Sequence, residues 1–142
     1  MILPDVNVLI YAFSEESVDH GIYKKWLTDL ISGDEVFGLS DLVLSSFLRI
    51  VTNPRIMKNY ASLEEALQFI QKLRSPLHYI PINPGSNHWS IFIKLCEDFK
   101  VKGNDISDAY LAAIAIESGS EWISTDHGFS RFPNLRWRHP LK

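Results

Sequence analysis

Short apolar segments alternate with amphipathic segments of helical period along the whole chain, and this alternation restricts the fold more than any other feature. The apolar segments predict strands at 2–3, 36–39, 77–82 and 121–125. The amphipathic segments predict helices at 8–12, 20–31, 41–52, 63–73, 89–99 and 105–117. The connections between strands are too long for hairpins, so the strands are predicted to be parallel. The sequence therefore predicts the α/β class, with a short central parallel sheet flanked by helices.

Individual residues support several of these boundaries. Ser62 and Glu65 have the spacing of a capping box, in which each residue satisfies a free N–H group at the start of a helix. Gly119 is a typical stop for the last predicted helix. Pro81 has no N–H to donate to a neighbouring strand, so the third strand is predicted to lie at a sheet edge.

The length of 142 residues fits one domain, spanning 1–142. Cys96 is the only cysteine, which excludes an internal disulfide and a multi-cysteine zinc site and is typical of a reducing cytosol. The N-terminus lacks the basic region of a secretory signal. No apolar run approaches the roughly 18 residues that span a bilayer. We therefore expect a soluble, cytoplasmic protein without a membrane partner.

Three aspartates are the basis for predicting a catalytic site. Asp5 and Asp126 follow the first and last predicted strands, so both are expected at the rim of a parallel sheet where sites form in such folds. Asp108 lies in the first turn of the helix before the last strand, and periodicity alone leaves open whether it reaches this rim. Clustered carboxylates repel one another, and a hard cation such as Mg²⁺, which prefers oxygen ligands, offsets that repulsion.

Each aspartate also has a structural interpretation. Asp108 suits the dipole at the start of a helix, and Asp105 is predicted to be the N-cap of the same helix. Asp126, within Thr-Asp-His-Gly, is a common turn former. Asp5 lies between an apolar strand and an apolar helix, where a lone structural charge is poorly placed. The functional interpretation is therefore favoured for Asp5.

Basic residues are concentrated in two regions, although the formal net charge is −3. No acid follows Asp126, and the chain then contains Arg131, Arg136, Arg138 and Lys142. A second basic group lies in the middle of the chain, at Arg49, Arg55 and Lys58. These groups are candidate phosphate-attracting surfaces beside an acidic site. A basic chain end that has arisen by chance is the alternative for the first of them.

Four segments resemble, in order, the motifs of PIN domains, and specifically of VapC-like toxins from bacterial type II toxin–antitoxin systems. They are 5–12, which opens Asp5-Val6-Asn7, then 43–56, then 107–113, which contains Asp108, and finally 124–132, which contains Asp126. Each motif alone is weakly specific. Four of them in order at the family's spacing, over essentially the whole chain, are specific.

The resemblance implies a PIN-like three-layer α/β/α fold, Mg²⁺- or Mn²⁺-dependent endoribonuclease activity on single-stranded RNA, and a cognate antitoxin that covers the site or inserts a basic side chain. By position, Asp5 and Asp108 match the family's principal metal-binding acids, and Asp126 matches its C-terminal acid, so all three are expected to be catalytic. Asn7 and Ser124 match polar positions that support the site. A cap for the first helix is an equal alternative for Asn7.

The chain departs from the family pattern at two positions. Ser46 stands where the second motif commonly has an acid, and Gly128 replaces an acid often found shortly after the position of Asp126. A serine can hold a water-mediated contact but supplies no charge. One metal ion is therefore expected in place of two, with Asp105 or Asp41 as candidates to compensate for the missing acid.

Two other functions compete with the metal-dependent ribonuclease. The first is a catalytically degenerate PIN-like module that binds RNA or protein, which the changes at Ser46 and Gly128 favour. The second is a metal-independent ribonuclease that uses His127 and His139 as acid and base.

Apolar residues add candidate contact surfaces, with core packing as the alternative for each. The candidates for stacking on unpaired bases are Trp137, Phe129 and Phe132. The candidates for contact with the antitoxin or with a second copy in a homodimer are Phe13, Ile22 and Trp26.

Overall fold

Five short parallel strands form the centre of the protein in a computed structural model that describes all residues, 1–142. The strands are β1 (Ile2–Pro4), β2 (Phe37–Leu39), β3 (Tyr79–Pro81), β4 (Glu121–Ile123) and β5 (Trp137–Arg138). Their order across the sheet is β3-β2-β1-β4-β5, and every neighbouring pair is parallel. The predicted α/β class and the parallel sheet are confirmed.

Six helices cover the sheet on both faces. They are α1 (Val6–Phe13), α2 (His20–Ser32), α3 (Asp41–Val51), α4 (Leu63–Arg74), α5 (His88–Asp98) and α6 (Asp105–Ser118). The chain passes from β1 to β2 to β3 in one direction across the sheet, and then crosses from β3 to β4 in the other direction. Because such crossovers are right-handed, α1–α4 lie on one face and α5 and α6 on the opposite face. This is the three-layer α/β/α arrangement that was expected. No helix is long and apolar enough to cross a membrane.

The predicted boundary signals act as expected. Ser62 Oγ accepts from the N–H of Glu65 at 3.1 Å, and Glu65 Oε1 accepts from the N–H of Ser62 at 3.3 Å, which completes the capping box of α4. Gly119 ends α6 in the left-handed region, with φ of 64°. Pro81 belongs to β3, which lies at the edge of the sheet as predicted.

The layers enclose 29 buried apolar residues. Phe129 and Phe132 are among them at 1% exposure each, so their predicted role in base stacking is wrong and core packing is confirmed. Phe13 and Trp26 are partly buried against this core, whereas Ile22 is 54% exposed. Of the three proposed contact residues, only Ile22 is therefore left mainly on the surface.

Two elements after β4 were not predicted from the sequence. A 3₁₀ helix covers His127–Arg131, and β5 pairs with β4 through residues 137 and 138. A two-residue strand is too short to show an alternating pattern, so only the pairing partner reveals it. β4 itself ends at Ile123, two residues before the predicted end, and this leaves Ser124 and Thr125 in the segment leading to Asp126.

Candidate active site

The carboxyl ends of β1 and β4 meet at one rim of the sheet. Pro4 is paired with Ile123 in the parallel register, and the next backbone N–H, that of Asp5, donates to the carbonyl of Ile123 at 2.8 Å. The residues that follow these two strands are therefore level with each other. Asp5 follows β1 directly, and Ser124 follows β4 directly. The predicted position of Asp5 at this rim is confirmed.

Asp5 is a buried carboxylate held at the start of α1. It is 5% exposed and is the N-cap of the helix, because Oδ1 accepts from the N–H of Val6 at 2.7 Å. Its second oxygen, Oδ2, accepts from Ser124 Oγ at 2.7 Å and from Asn7 Nδ2 at 3.3 Å. Both oxygens thus have donors, which come from the start of α1 and from the segment after β4.

Asn7 and Ser124 form the support of this carboxylate. Asn7 Nδ2 lies 3.1 Å from Ser124 Oγ, and Asn7 Oδ1 accepts from the N–H of Thr125 at 3.3 Å. Ser124 Oγ also accepts from the N–H of Asp126 at 3.1 Å. The alternative assignment of Asn7 as the cap of α1 is wrong, because Asp5 occupies that position. Its side chain instead connects α1 to the segment after β4.

Burial raises the pKa of the Asp5 carboxyl from its ordinary value of 3.8 to about 6. The hydrogen bonds from Ser124 and Val6 act against this rise, and the negative charges of Asp108 and Asp126 add to it. The pKa of Asp108 is raised as well, first by burial and then by the charge of Asp126. The fold therefore brings all three predicted aspartates close enough for their charges to interact.

Asp126 and Asp108 reach this region from different elements. Asp126 is the N-cap of the 3₁₀ helix, with its Oδ1 accepting from the N–H of Gly128 at 2.8 Å, so it is a turn former as well as a member of the cluster. Asp108 lies in the first turn of α6. Its charge adds to the rise in the pKa of Asp5, so this helix start lies near the rim.

Arg131 lies between two carboxylates of α6. Its Nη2 is 3.0 Å from Asp108 Oδ2, and its Nη1 is 3.4 Å from Asp105 Oδ2. The prediction that Asp105 caps α6 is wrong: Asn104 is the N-cap, and Asp105 is the first helical residue with its side chain turned to this arginine. Asp105 thus lies close to the acidic cluster. From the sequence alone, it is only a candidate to compensate for the acid missing at Ser46.

The carboxylates at this rim have the donor chemistry that a hard divalent ion prefers, although no cluster of three or more is assembled. No group of three or more His, Cys, Asp or Glu side chains is arranged to hold a metal ion. Mg²⁺ is commonly held through only one or two carboxylates and keeps several waters. Asp5 and Asp108 provide oxygen ligands alone, and a cation between them would offset the burial and repulsion that raise their pKa values.

Most of the predicted C-terminal basic strip is engaged within the protein. Arg131 binds the acids of α6, Arg138 pairs with Glu121 at 3.1 Å, and Arg136 donates to the carbonyl of Gly119. Two of the four cations are therefore paired with acids, and the phosphate-attracting strip stays a prediction. The mid-chain group is different, because all three of its members are exposed and none forms an ion pair; these are Arg49, Arg55 and Lys58.

The two histidines of the metal-independent alternative stack against each other. The rings of His127 and His139 are 5.9 Å apart at 26°, and His127 also contacts Trp137 edge-on. Burial lowers the pKa of His139, and the charge of Lys142 lowers it further.

Trp137 is half-buried, and its Nε1 donates to the carbonyl of Ser124 at 3.1 Å, so it stabilises the segment that supports Asp5.

Comparison with known proteins assigns the chain to a family. A sequence profile of the PIN domain matches residues 2–135. The chain belongs to the PIN-domain family. It is 43% identical over 141 residues to the VapC ribonuclease Mb2897 of Mycobacterium bovis, covering 99% of this chain and 96% of that protein. It is 36% identical over 140 residues to ribonuclease VapC31 of Mycobacterium tuberculosis, covering 99% of both.

A solved structure supports the PIN fold independently. A chain in the crystal structure of VapBC2 from Rickettsia felis superposes with a TM-score of 0.71 at 19% identity, covering 98% of both chains. The predicted resemblance to VapC-like PIN domains is thereby confirmed in fold as well as in sequence.

The two departures from the usual PIN pattern have different structural settings. Ser46 is half-buried on α3, and its side chain makes no hydrogen bond. A Cβ at Gly128 would lie 3.0 Å from Asp126 Oδ1, so an acid at this position would crowd Asp126. Asp41 is exposed at the start of α3, and its charge acts on Tyr79, so the structure does not bring it into the cluster.

Proposed function

We propose that this chain is a Mg²⁺- or Mn²⁺-dependent endoribonuclease that cleaves single-stranded RNA. Similarity along the full length to proteins named VapC ribonucleases supports RNA cleavage. The single structural observation that supports it most strongly is the meeting of Asp5, Asp108 and Asp126 at the carboxyl end of the sheet. Carboxylates that raise one another's pKa are costly to keep together unless a cation uses them.

The three aspartates have separate tasks in this proposal. Asp5 and Asp108 would hold the ion, and a bound divalent ion polarises a phosphodiester oxygen and lowers the pKa of a bound water. Asp126 is exposed, and its Oδ2 accepts no hydrogen bond, so it is available to orient or deprotonate the attacking water. Asn7 and Ser124 hold the carboxylate of Asp5 in place.

A cleavage assay on a labelled single-stranded RNA tests this proposal. The purified protein is expected to cut the RNA with Mg²⁺ or Mn²⁺ and to stop in EDTA. Asp5→Asn is expected to abolish cutting, whereas the matched control Asp29→Asn, which removes an exposed carboxylate paired with Lys25, should cut normally. Cleavage that persists in EDTA would indicate the His127 and His139 mechanism. RNA binding without any cleavage would indicate the degenerate binding module.

The cognate partner is proposed to be an antitoxin, which makes this chain the toxin of a type II pair. The near-complete match to VapC ribonucleases supports this assignment. A small open reading frame directly upstream is the expected source. Its product, expressed together with the inactive Asp5→Asn chain, should co-purify with it and should block RNA cleavage by the unmodified protein. A product that neither binds nor inhibits would contradict the pairing.

A further inference from the structure

Arg131 is the cation nearest the proposed metal ligands. Its guanidinium contacts Asp108 Oδ2 at 3.0 Å and Asp105 Oδ2 at 3.4 Å, from the last residue of the 3₁₀ helix. Asp108 Oδ2 is therefore already engaged by a positive group. Hydrogen bonds between charged partners are stronger than neutral ones, so this contact opposes the binding of a second cation to the same carboxylate.

The arginine side chain is confined in this position. Its guanidinium carbon lies 4.8 Å from the centre of the Phe132 ring, and that ring is buried in the core. Its Nε is buried and has no hydrogen-bond partner. A buried donor without a partner is unfavourable. The placement of the guanidinium is therefore explained by its contacts with the two carboxylates of α6, because burial of Nε is by itself unfavourable.

The same contact offsets part of the repulsion between neighbouring carboxylates. Burial and the nearby carboxylates of Asp126 and Asp105 raise the pKa of Asp108, and the positive charge of Arg131 acts against this rise. A divalent ion bound to Asp108 would lie directly beside the guanidinium of Arg131, and two positive groups at such close range repel each other. A metal ion and Arg131 thus compete for the negative charge of Asp108.

We propose that Arg131 is an internal counter-ion that competes with the divalent metal for Asp108, so that metal entry breaks the Arg131–Asp108 ion pair. This inference rests on the metal-dependent function proposed above. In this proposal Arg131 is a positioning residue that acts through Asp108. It sets the concentration of free metal at which the site becomes occupied. The contact is partly exposed, so its removal is expected to tighten metal binding about fivefold.

Binding of Mn²⁺ alone to the full chain, measured by the electron paramagnetic resonance signal of the free ion, tests the competition without RNA or activity. Arg131→Gln is expected to bind Mn²⁺ about fivefold more tightly than the unmodified protein. The matched control is Arg138→Gln, which breaks a pair of similar length and exposure with Glu121 and should change the affinity less than about twofold. Arg131→Lys keeps the charge but loses the planar fork, so an intermediate gain is expected.

A second measurement remains available if Arg131→Gln does not fold without metal. In the unmodified protein, the ¹H–¹⁵N signal of the buried Arg131 Nε should shift as Mg²⁺ is added, in parallel with metal binding. An unshifted signal at saturating Mg²⁺ overturns the proposal, as does equal or weaker Mn²⁺ binding by Arg131→Gln. Asp5→Asn separates the two levels of inference. If Mn²⁺ binding depends on Asp5 but not on Arg131, only the competition is wrong; if it does not depend on Asp5 either, the proposed metal site is wrong as well.

Discussion

Ser124 donates a hydrogen bond of 2.7 Å to the Asp5 carboxylate across a sequence separation of 119 residues. This bond joins the ends of β1 and β4, which are adjacent only after β4 has docked beside β1. The orientation of Asp5 therefore depends on a segment near the other end of the chain. The candidate site is complete only in the folded sheet, because the local segment supplies the carboxylate with Val6 and Asn7 as donors but not with Ser124.

Ser124→Ala removes this donor and is expected to reduce the rate of RNA cleavage about 10- to 100-fold, since partners that orient a metal ligand have effects of this size. Ser124 is fully buried, and the lost bond leads to a charged group. The free energy of unfolding should therefore fall by about 1–3 kcal/mol. Initial cleavage rates and urea denaturation measure the two effects.

The matched control for this change is Ser120→Ala. Ser120 is also buried, but its hydroxyl contacts that of Ser118 and no carboxylate. Its cleavage rate should stay within about twofold of the unmodified protein, because the site keeps all its donors. Cleavage by Ser124→Ala at the unmodified rate would show that the orientation of Asp5 does not depend on this bond.

Asp5 is predicted to make the metal-free protein less stable as the pH rises through the acid range. Its pKa is raised by burial from 3.8 to about 6 in the folded chain, so between these values the folded state binds more protons than the unfolded state. The free energy of unfolding therefore falls from about pH 4 to about pH 6 and is then level for this group.

Asp5→Asn lacks this contribution. The free energy of unfolding of Asp5→Asn minus that of the unmodified protein should therefore increase between pH 4 and pH 7.5, by an amount of the order of 2 kcal/mol. Urea denaturation in EDTA at the two pH values measures the difference. The control Asp29→Asn changes an exposed carboxylate and should follow the pH dependence of the unmodified protein. Parallel curves for Asp5→Asn and the unmodified chain would contradict the raised pKa.

The sequence predicted the elements that depend on local residue choice. Helix α4 is specified by Ser62 and Glu65, and β3 is placed at the edge by Pro81. The position of Asp5 also follows from local pattern, because a charge directly after an apolar parallel strand has to emerge at the rim. In these cases the structure is determined by residues close together in the sequence, or by the direction of the strands in a parallel sheet.

The contacts that the sequence did not predict join residues whose positions depend on the whole fold. Arg131 was assigned to a free basic strip, and only the packing of α6 beside the 3₁₀ helix shows its pairing with Asp105 and Asp108. Asp105 was assigned as a cap because aspartate favours that position. The helix begins one residue earlier than that assignment required, since Asn104 is the cap, and the side chain of Asp105 is then directed to the arginine.

The mid-chain cations are predicted to contact RNA phosphates, because they are exposed and have no carboxylate partner. Replacing all three with glutamine is expected to weaken the binding of single-stranded RNA and to reduce the slope of log affinity against log salt concentration by up to about 2, at roughly 0.7 for each lost phosphate contact. The three residues are Arg49, Arg55 and Lys58. Fluorescence anisotropy on the Asp5→Asn background in EDTA measures binding without cleavage.

A charge-matched control distinguishes a specific surface from net charge. Lys25, Lys94 and Arg138 each pair with an acid, so a triple glutamine variant at these positions removes the same total charge from cations that are already engaged. It should retain most of the salt dependence, because paired cations release fewer counterions on binding. Equal losses in the two triple variants would indicate a general charge effect in place of a binding surface.

Two glycines are predicted to respond in opposite directions to alanine. At Gly38 on β2, an added Cβ would overlap the carbonyl oxygen of Ile80 and lie 2.7 Å from Ile82 Cγ1, so the close approach of β2 and β3 requires glycine. Gly38→Ala is expected to lower the free energy of unfolding by about 3 kcal/mol. At Gly21 in α2, nothing lies within 4 Å of an added Cβ. Gly21→Ala should raise the free energy of unfolding by about 0.5–1 kcal/mol, because alanine favours the helix more than glycine does.

Urea denaturation of these two variants compares the same added methyl group in two settings. The difference between them should therefore be about 4 kcal/mol, which is large relative to the error of the measurement. Cleavage by Gly21→Ala should be unchanged, because α2 supplies no residue to the rim. A Gly38→Ala variant as stable as the unmodified chain would show that β3 can move away from β2, and the tight edge of the sheet described here would then be wrong.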